Sequence, residues 1–414
     1  MEERIKKIKK CRSCYSRNLI PILSIGNIFV SQFVQEEEAG FKAPLNLILC
    51  QNCGLLQLEH TVHPELLYRT YWYKSGMNEA MLKALEDIVD KAERIIDLRD
   101  HDIVLDIGSN DSSMLRMYKR KDIIRIGFEP AYNLFEEGKK GVDKTFNSFF
   151  SFGEYKKYIK RKARIITAIA MFYDLDDPNR FINDIKKCLS KDGLLIIEQR
   201  YLPSMLEQND IGNICHEHLE YYSFYSLKNL IDRYNLEIFD IELNNVNGGS
   251  FRVYIKHKDS NIRVFDNARE RLSKIIEYET NLGLDNPLKY LEFALKAKLN
   301  ANKLYNFIKT EHDRGKIIHV YGASTKGNTM LQYWNIDNSL IEAAAERDER
   351  KIGKRTIGTN IPIITERESR EKADYFLVLP FHFIDAFIKR EKEFLNRGGK
   401  FIVPLPYFKV IERI

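Results

Sequence analysis

Proline is scarce in this chain, 11 in 414 residues, and no low-complexity run accompanies it, which excludes long disordered segments. No stretch of about 18 consecutive apolar residues occurs, so a transmembrane helix is excluded. The charged opening run, Met1 to Lys10, has no apolar segment behind it and does not read as a signal peptide. An excess of one charge is missing too: 65 basic against 59 acidic residues leave +6, too little for a dedicated nucleic-acid binder. Six cysteines are too few for a disulfide scaffold, and their grouping makes the reducing cytoplasm the expected compartment. Apolar residues are plentiful, at 44% hydrophobic and 12% aromatic. At about 150 residues per domain, the length predicts roughly three domains with cores of their own.

Four of the cysteines form two C-x-x-C pairs, Cys11 with Cys14 and Cys50 with Cys53. Each such turn aims two thiolates at one ion, and two turns complete a tetrahedral zinc site. Four thiolates leave no position open for water, so this zinc is expected to be structural. Gly54 follows the second pair, where a knuckle needs positive φ. The gap between the pairs exceeds the usual ribbon spacing of about 15–20 residues, so a small insertion around Ile20 to Phe41 must sit between them. The aromatic run from Tyr68 through Tyr71, Trp72 and Tyr73 either packs an interface or faces a cleft.

In the middle, Ile103 to Ile107 reads as a buried strand entering the turn Gly108-Ser109-Asn110, followed by a helix from Ser113 to Lys119. The next strand, Ile123 to Phe128, ends at Glu129-Pro130. Strand, small-residue turn, helix, strand and acid is the start of an α/β nucleotide unit. Glu129 lies 21 positions after Gly108, the distance at which a carboxylate accepts from both ribose hydroxyls. The turn lacks G-x-G-x-x-G, so it does not suit a pyrophosphate. S-adenosylmethionine has no phosphates, and its amino-acid end suits a polar turn, which makes it the expected cofactor. Ile165 to Met171, a helix at Phe181 to Leu189 and Leu194 to Glu198 continue the sheet; Asp174, Asp176 and Asp177 in the intervening turn read as solvated helix caps.

Cys215-His216-Glu217-His218 is the densest acid–base segment of the chain. In extended backbone His216 and His218 face the same way, so one pocket holding both, with Glu217 beside them, is expected. Imidazole titrates near working pH, and the segment reads as a general base with an orienting carboxylate. Cys215 reads as a small buried thiol. Asn247-Gly248-Gly249-Ser250 then leads into a strand carrying Arg252, either an anion ligand or a strand-edge charge.

Val264 to Glu311 is a long helical stretch, a connector to a second sheet unit that opens at Ile317 to Tyr321. There the turn Gly322-Ala323-Ser324 feeds a helix start bearing Lys326 and Asn328, an anion site suited to a nucleotide-diphosphate sugar. Leu340 to Ala345, Tyr375 to Leu379 and Gly398 to Pro404 supply further strands.

Taken in order, these pieces resemble the bacterial nucleotide-sugar C-methyltransferases, which act on nucleotide-linked 4-keto deoxyhexoses. The resemblance runs through both C-x-x-C pairs, Tyr71-x-Tyr73-x-Ser75, Asp106 to Asp111, Phe128-Glu129-Pro130, His216-Glu217-His218, Asn247 to Ser250 and Tyr321-Gly322-Ala323. It implies an α/β fold of three units: a zinc-binding domain over 1–75, a class I methyltransferase Rossmann-like domain over 76–260, and a helical connector with a C-terminal Rossmann-like domain over 261–414. It also implies a base at His218, assisted by Glu217, with His216 and Tyr73 in the same cleft. The cofactor set is then Asp106, Gly108, Asn110, Glu129, Pro130 and Met171. The substrate set is Tyr71, Tyr222, Asn247, Gly249 and Arg252, with Tyr321, Gly322, Ser324, Lys326 and Asn328 from the C-terminal unit. The chain departs from the family at Cys215, where a tyrosine is usual, and at Ser112, where the cofactor turn usually has glycine. It departs again at Ala170 to Asp174, which replaces an Asn-x-x-x-His stretch.

The expected partner is a nucleotide-sugar, with neither nucleic acid nor membrane, and a monomer is compatible with the sequence. Three alternatives stand beside this reading. An O-methyltransferase would use His218 on a hydroxyl; a zinc-ribbon nucleic-acid binder would use only the C-x-x-C pairs; a nicotinamide oxidoreductase would need glycines that are missing.

Overall fold

The computed structural model describes residues 4–35, 40–77 and 79–412; the first three residues of the charged opening run lie outside these. The segment between the cysteine pairs is a long hairpin, Leu19–Phe29 against Lys42–Cys50. Its apolar residues alternate, with Leu45, Leu47 and Leu49 buried on one face, which is the period of a half-buried strand. Leu56–Leu58 extends this sheet, and Glu220–Tyr221 completes it. That last strand comes from far along the chain, just after the His-Glu-His segment, so the N-terminal sheet is finished by the central unit.

The central sheet has seven strands in the order Leu236–Asn244, Ser250–His257, Leu189–Arg200, Ala163–Ile169, Ile103–Ile107, Ile124–Phe128 and Lys144–Phe146. All run parallel except Ser250–His257, which is antiparallel to both neighbours. The near-continuous Ile, Leu and Val runs of its inner strands are those of strands covered on both faces. Helix Glu79–Ile95 covers one face through Leu85, Ile88, Val89, Ala92 and Ile95, one stripe at helical spacing. Phe181, Ile182 and Ile185 of helix Pro178–Cys188 cover the other. This is the expected Rossmann-like methyltransferase sheet.

Helices Ala268–Leu282 and Pro287–Asp313 form the connector; Gly283, at φ +71°, ends the first and Pro287 starts the second. The second Rossmann-like sheet follows, in the order Ile363–Thr365, Ala343–Glu346, Ile318–Tyr321, Tyr375–Val378, Lys400–Val403 and Lys409–Ile411, the last antiparallel. It also grips the N-terminal unit. Arg355–Thr356 pairs with Phe33–Val34, and the Gln332 side chain bonds both the N–H and the carbonyl of Phe29. Among the described residues, no helix is long and apolar enough to cross a membrane.

Candidate active site and metal centre

The two cysteine turns close in the same way. Tyr15 N–H donates to the Cys11 carbonyl at 3.0 Å, and Gly54 N–H to the Cys50 carbonyl at 2.9 Å. Both residues take positive φ, Tyr15 without being glycine. Cys11 and Cys53 bring their sulfurs to 3.5 Å, Cys14 and Cys50 likewise, and all four lie within 4.8 Å of one another. Tetrahedral zinc with Zn–S near 2.3 Å asks for sulfurs roughly 3.8 Å apart, so the set fits the ion. The Ser13 carbonyl, inside the first turn, accepts from Asn179 and Arg233, which pins the knuckle to the central domain.

In open α/β sheets ligands bind at the carboxyl ends of the strands, where the strand order reverses. In the central sheet that point lies between Ile103–Ile107 and Ala163–Ile169; in the C-terminal sheet it lies between Ile318–Tyr321 and Tyr375–Val378. Both open on one cavity of about 860 Å³, walled also by Tyr68, Tyr71 and Tyr73. None of the four cysteines lines it.

Asp106, Gly108, Asn110, Glu129, Pro130 and Met171 all line this cavity. Gly108 has φ +71°, and a Cβ there would sit 3.1 Å from the Met171 side chain. The Glu129 carboxylate is fixed by backbone, accepting from Asn110 N–H at 2.7 Å and Ala131 N–H at 2.8 Å. Each oxygen keeps a lone pair for a further donor, which suits a ribose diol. Burial raises Asp106 to about 7 against a hydrogen bond from Thr167, and Glu129 adds to the rise. These residues fit S-adenosylmethionine.

The His-Glu-His segment is a turn rather than extended chain, and this overturns the expectation of one pocket for both histidines. His216 points away, its Nε2 at 3.0 Å from the Ala43 carbonyl, and it does not line the cavity. His218 and Glu217 do. The Nδ1 of His218 lies 2.8 Å from the Asn213 carbonyl, and the edge of its ring meets Tyr173 with centroids 4.5 Å apart. A carbonyl only accepts, so Nδ1 carries the proton and Nε2 keeps its lone pair. Burial, then the Lys326 ammonium, holds this imidazole well below its usual range, so it is neutral.

The substrate set divides in two. Tyr71, Asn247, Ser324 and Lys326 line the cavity, as Tyr73 does. Tyr222, Gly249, Arg252, Tyr321, Gly322 and Asn328 do not, and each is engaged elsewhere. Tyr222 donates to Glu220 at 2.9 Å inside the core, and the Gly249 carbonyl receives Tyr201 N–H. Arg252 is paired with Glu198 at 2.7 Å and Asp87 at 2.8 Å, so it ties the sheet to helix Glu79–Ile95. Tyr321 donates to Glu391, Gly322 packs behind Pro380, and Asn328 donates to the Gln32 carbonyl.

Sequence reasoning missed several groups on the cavity wall. Asp177 caps helix Pro178–Cys188 as expected, and Asp176 bonds Thr61 and Arg12. Asp174 does neither; like Asp176 and Asp177 it lines the cavity, but its Oδ1 is shut from solvent with no hydrogen-bond partner. Burial, then the neighbouring Glu217, pushes Asp174 well above the usual carboxylate range, while burial raises Glu217 to about 7 against the pull of Lys326. Asp210, also lining, pairs with Arg200 at 2.6 Å and with His382 at 3.3 Å. Two signals pointed there: the excess of aspartates after the fourth strand, and the replacement of the family's Asn-x-x-x-His stretch by Ala170 to Asp174.

Three family models tile the chain in order: "Putative zinc binding domain" over 11–68, "Methyltransferase domain" over 73–241 and "C-methyltransferase C-terminal domain" over 245–406. The chain is also 28% identical to C-methyltransferase NovU of Streptomyces niveus over 418 residues, covering 99% of each. Among solved structures, an S-adenosylmethionine-dependent methyltransferase from Clostridium acetobutylicum matches 42% of this chain and 91% of its own at 15% identity and TM-score 0.34. The mitomycin 7-O-methyltransferase MmcR matches 44% and 55% at 16% identity and TM-score 0.35. Fold, motif order and family models together define an S-adenosylmethionine-dependent methyltransferase with a structural zinc knuckle. The model matched by its C-terminal part is that of the C-methyltransferase C-terminal domain.

Proposed function

We propose that this chain methylates a carbon beside the ketone of a nucleotide-linked 4-keto-deoxysugar. The observation that carries the reading is His218, a neutral imidazole with its free Nε2 in the same cavity as the cofactor turn. An ordinary sugar carbon is no nucleophile; removing a proton next to a ketone makes it one. His218 Nε2 takes that proton, and the C–H electron pair moves through the new C=C bond onto the carbonyl oxygen. The Tyr73 hydroxyl, raised to about 12 by burial and then by Asp111, stays protonated and donates to the developing enolate. Held by Asp106, Gly108, Asn110 and Glu129, S-adenosylmethionine would supply an electrophilic sulfonium methyl group to the enolate carbon, the C–S pair remaining with the departing thioether. His218 then gives its proton up to solvent. Lys326, 3.4 Å from the Asn213 amide oxygen, is drawn toward the His218 turn, so its charge serves the sugar end of the substrate.

The test is mass spectrometry with S-adenosylmethionine and a panel of nucleotide-linked 4-keto-6-deoxysugars in heavy water. Gain of one methylene with loss of the acceptor carbon's proton is expected. Methyl gain with that proton retained means O-methylation. No gain and no deuterium uptake on any sugar overturns the reading. His218→Asn is expected to lower turnover by about 10²–10⁴-fold while sparing cofactor binding.

A further inference from the structure

We propose that Asp174 is a further catalytic residue, donating a hydrogen bond to the substrate's ketone oxygen while His218 takes the proton from the neighbouring carbon. The inference rests on the carbon-methylation reading and extends it to a side chain that a simple aspartate rule assigns to helix capping.

Its position carries the argument. Asp174 ends the short turn Phe172–Asp174 that follows strand Ala163–Ile169, at the reversal point of the central sheet. The residue before it, Tyr173, packs its ring on His218. Asp174 and His218 line the same cavity, and the Asp174 Oδ1 is buried without a partner. A carboxyl on a cavity wall with an oxygen that no protein group bonds keeps hydrogen-bonding capacity for a ligand to draw on.

Its protonation follows from its neighbours. The charged groups acting on Asp174 are Glu217, Glu220 and Lys326. Tyr68, Tyr71, Tyr173, Tyr221 and Cys215 surround the same acids, and all are neutral at pH 7, their ionisation opposed by burial first. Lys326 is the cation acting on both Asp174 and Glu217, and two neighbouring carboxyls served by one ammonium do not both ionise readily. A proton therefore remains with the Asp174–Glu217 pair. A neutral carboxylic acid is a strong donor toward an oxygen gaining negative charge, and in a desolvated site its proton stays in place until that charge develops. After C–C bond formation the ketone is restored and the proton remains on the carboxyl, so the group is unchanged over a cycle.

The experiment compares Asp174→Asn with Asp174→Leu and Asp174→Ala. Asparagine keeps a donor, leucine keeps the volume without one, and alanine keeps neither. The probe is the nucleotide-linked 4-keto-6-deoxysugar that the wild-type protein turns over in the panel above. Deuterium uptake at the carbon beside the ketone is read with and without S-adenosylmethionine, alongside kcat, KM and the thermal midpoint. The Asn variant is expected within about tenfold of wild type, with the alkaline fall of its pH–rate profile lost. The Leu and Ala variants are expected to lose about 10²–10³-fold in kcat, with KM changed only a few-fold. An Asn variant as slow as the Leu and Ala variants, with all three folded, overturns the donor role alone. A Leu variant as fast as wild type overturns it too. Wild-type protein that neither exchanges nor methylates any sugar overturns the carbon-methylation reading and this inference together.

Discussion

Arg252 separates a structural charge from a ligand-binding one, and its removal has a magnitude that follows from its surroundings. Its side chain is 2% exposed and pairs through Nε with Glu198, itself 4% exposed, at 2.7 Å. The two face each other across adjacent strands, so the pair is built into the register of the central sheet. Asp87 and Glu242 complete the network at 2.8 and 3.6 Å, but they are 48% and 24% exposed, and solvent screens most of their share. Arg252→Ala leaves Glu198 buried with Asn244 as its remaining side-chain donor among the described residues. Breaking a buried pair in this way costs about 3–5 kcal/mol. For a domain of roughly 150–250 residues, each kcal/mol moves the midpoint by about 2–4 °C, so a fall of roughly 6–20 °C is expected. Thermal unfolding followed by circular dichroism reads the shift, and steady-state kinetics well below the new midpoint reads KM. The double variant Arg252→Met with Glu198→Gln removes both charges and is expected to recover much of the loss. An Arg252→Ala protein with an unchanged midpoint and a KM raised tenfold would refute the argument and return the residue to the substrate.

Metal analysis is expected to find one zinc per chain. Cys53→Ser should lose it and lower the midpoint, because ligand binding and folding share one free energy at such sites; full stability without zinc would contradict this. Gly108→Ala is expected to raise the Kd for S-adenosylmethionine about tenfold or more, since alanine at φ +71° costs about 1–2 kcal/mol before its Cβ meets Met171; calorimetry checks it. For Glu217 the sign is set by a carboxyl raised to about 7 in the fold. The unfolded chain gives up this proton near pH 4.5, so stability falls as pH rises from there to about 7 and is then level. Glu217→Gln removes a penalty of up to about 3 kcal/mol and is expected to be more stable than wild type at pH 8 but not at pH 4. Parallel stability profiles would exclude this.

Much of the scaffold was legible because its causes are local. Two thiols three residues apart aim at one point whatever follows, so the zinc set could be read from spacing. Glu129 could be read from its distance to Gly108, because a strand, a turn and a helix take up a nearly fixed length of chain. The knuckle already shows where such reasoning thins, since Tyr15 takes the backbone conformation that glycine advertises at Gly54. At the site the causes are no longer local. Alternation along an extended strand predicts that His216 and His218 point together, but a turn rotates one into the Ala43 carbonyl and leaves the other in the cavity. Arg252 and Lys326 carry the same charge in similar sequence settings. A facing strand supplies Glu198 to one, while the other sits where the carboxyls outnumber it. The same holds for the three aspartates after the fourth strand: all line the cavity, but one caps a helix, one is bonded to the zinc-binding unit and one has a carboxyl oxygen left without a partner. Residue type fixes what a side chain is able to do, and the lone pair or proton left over after its neighbours are satisfied fixes whether it acts. That remainder depends on segments hundreds of residues apart, which is why Asp174 emerges as a candidate donor only once three units close around it.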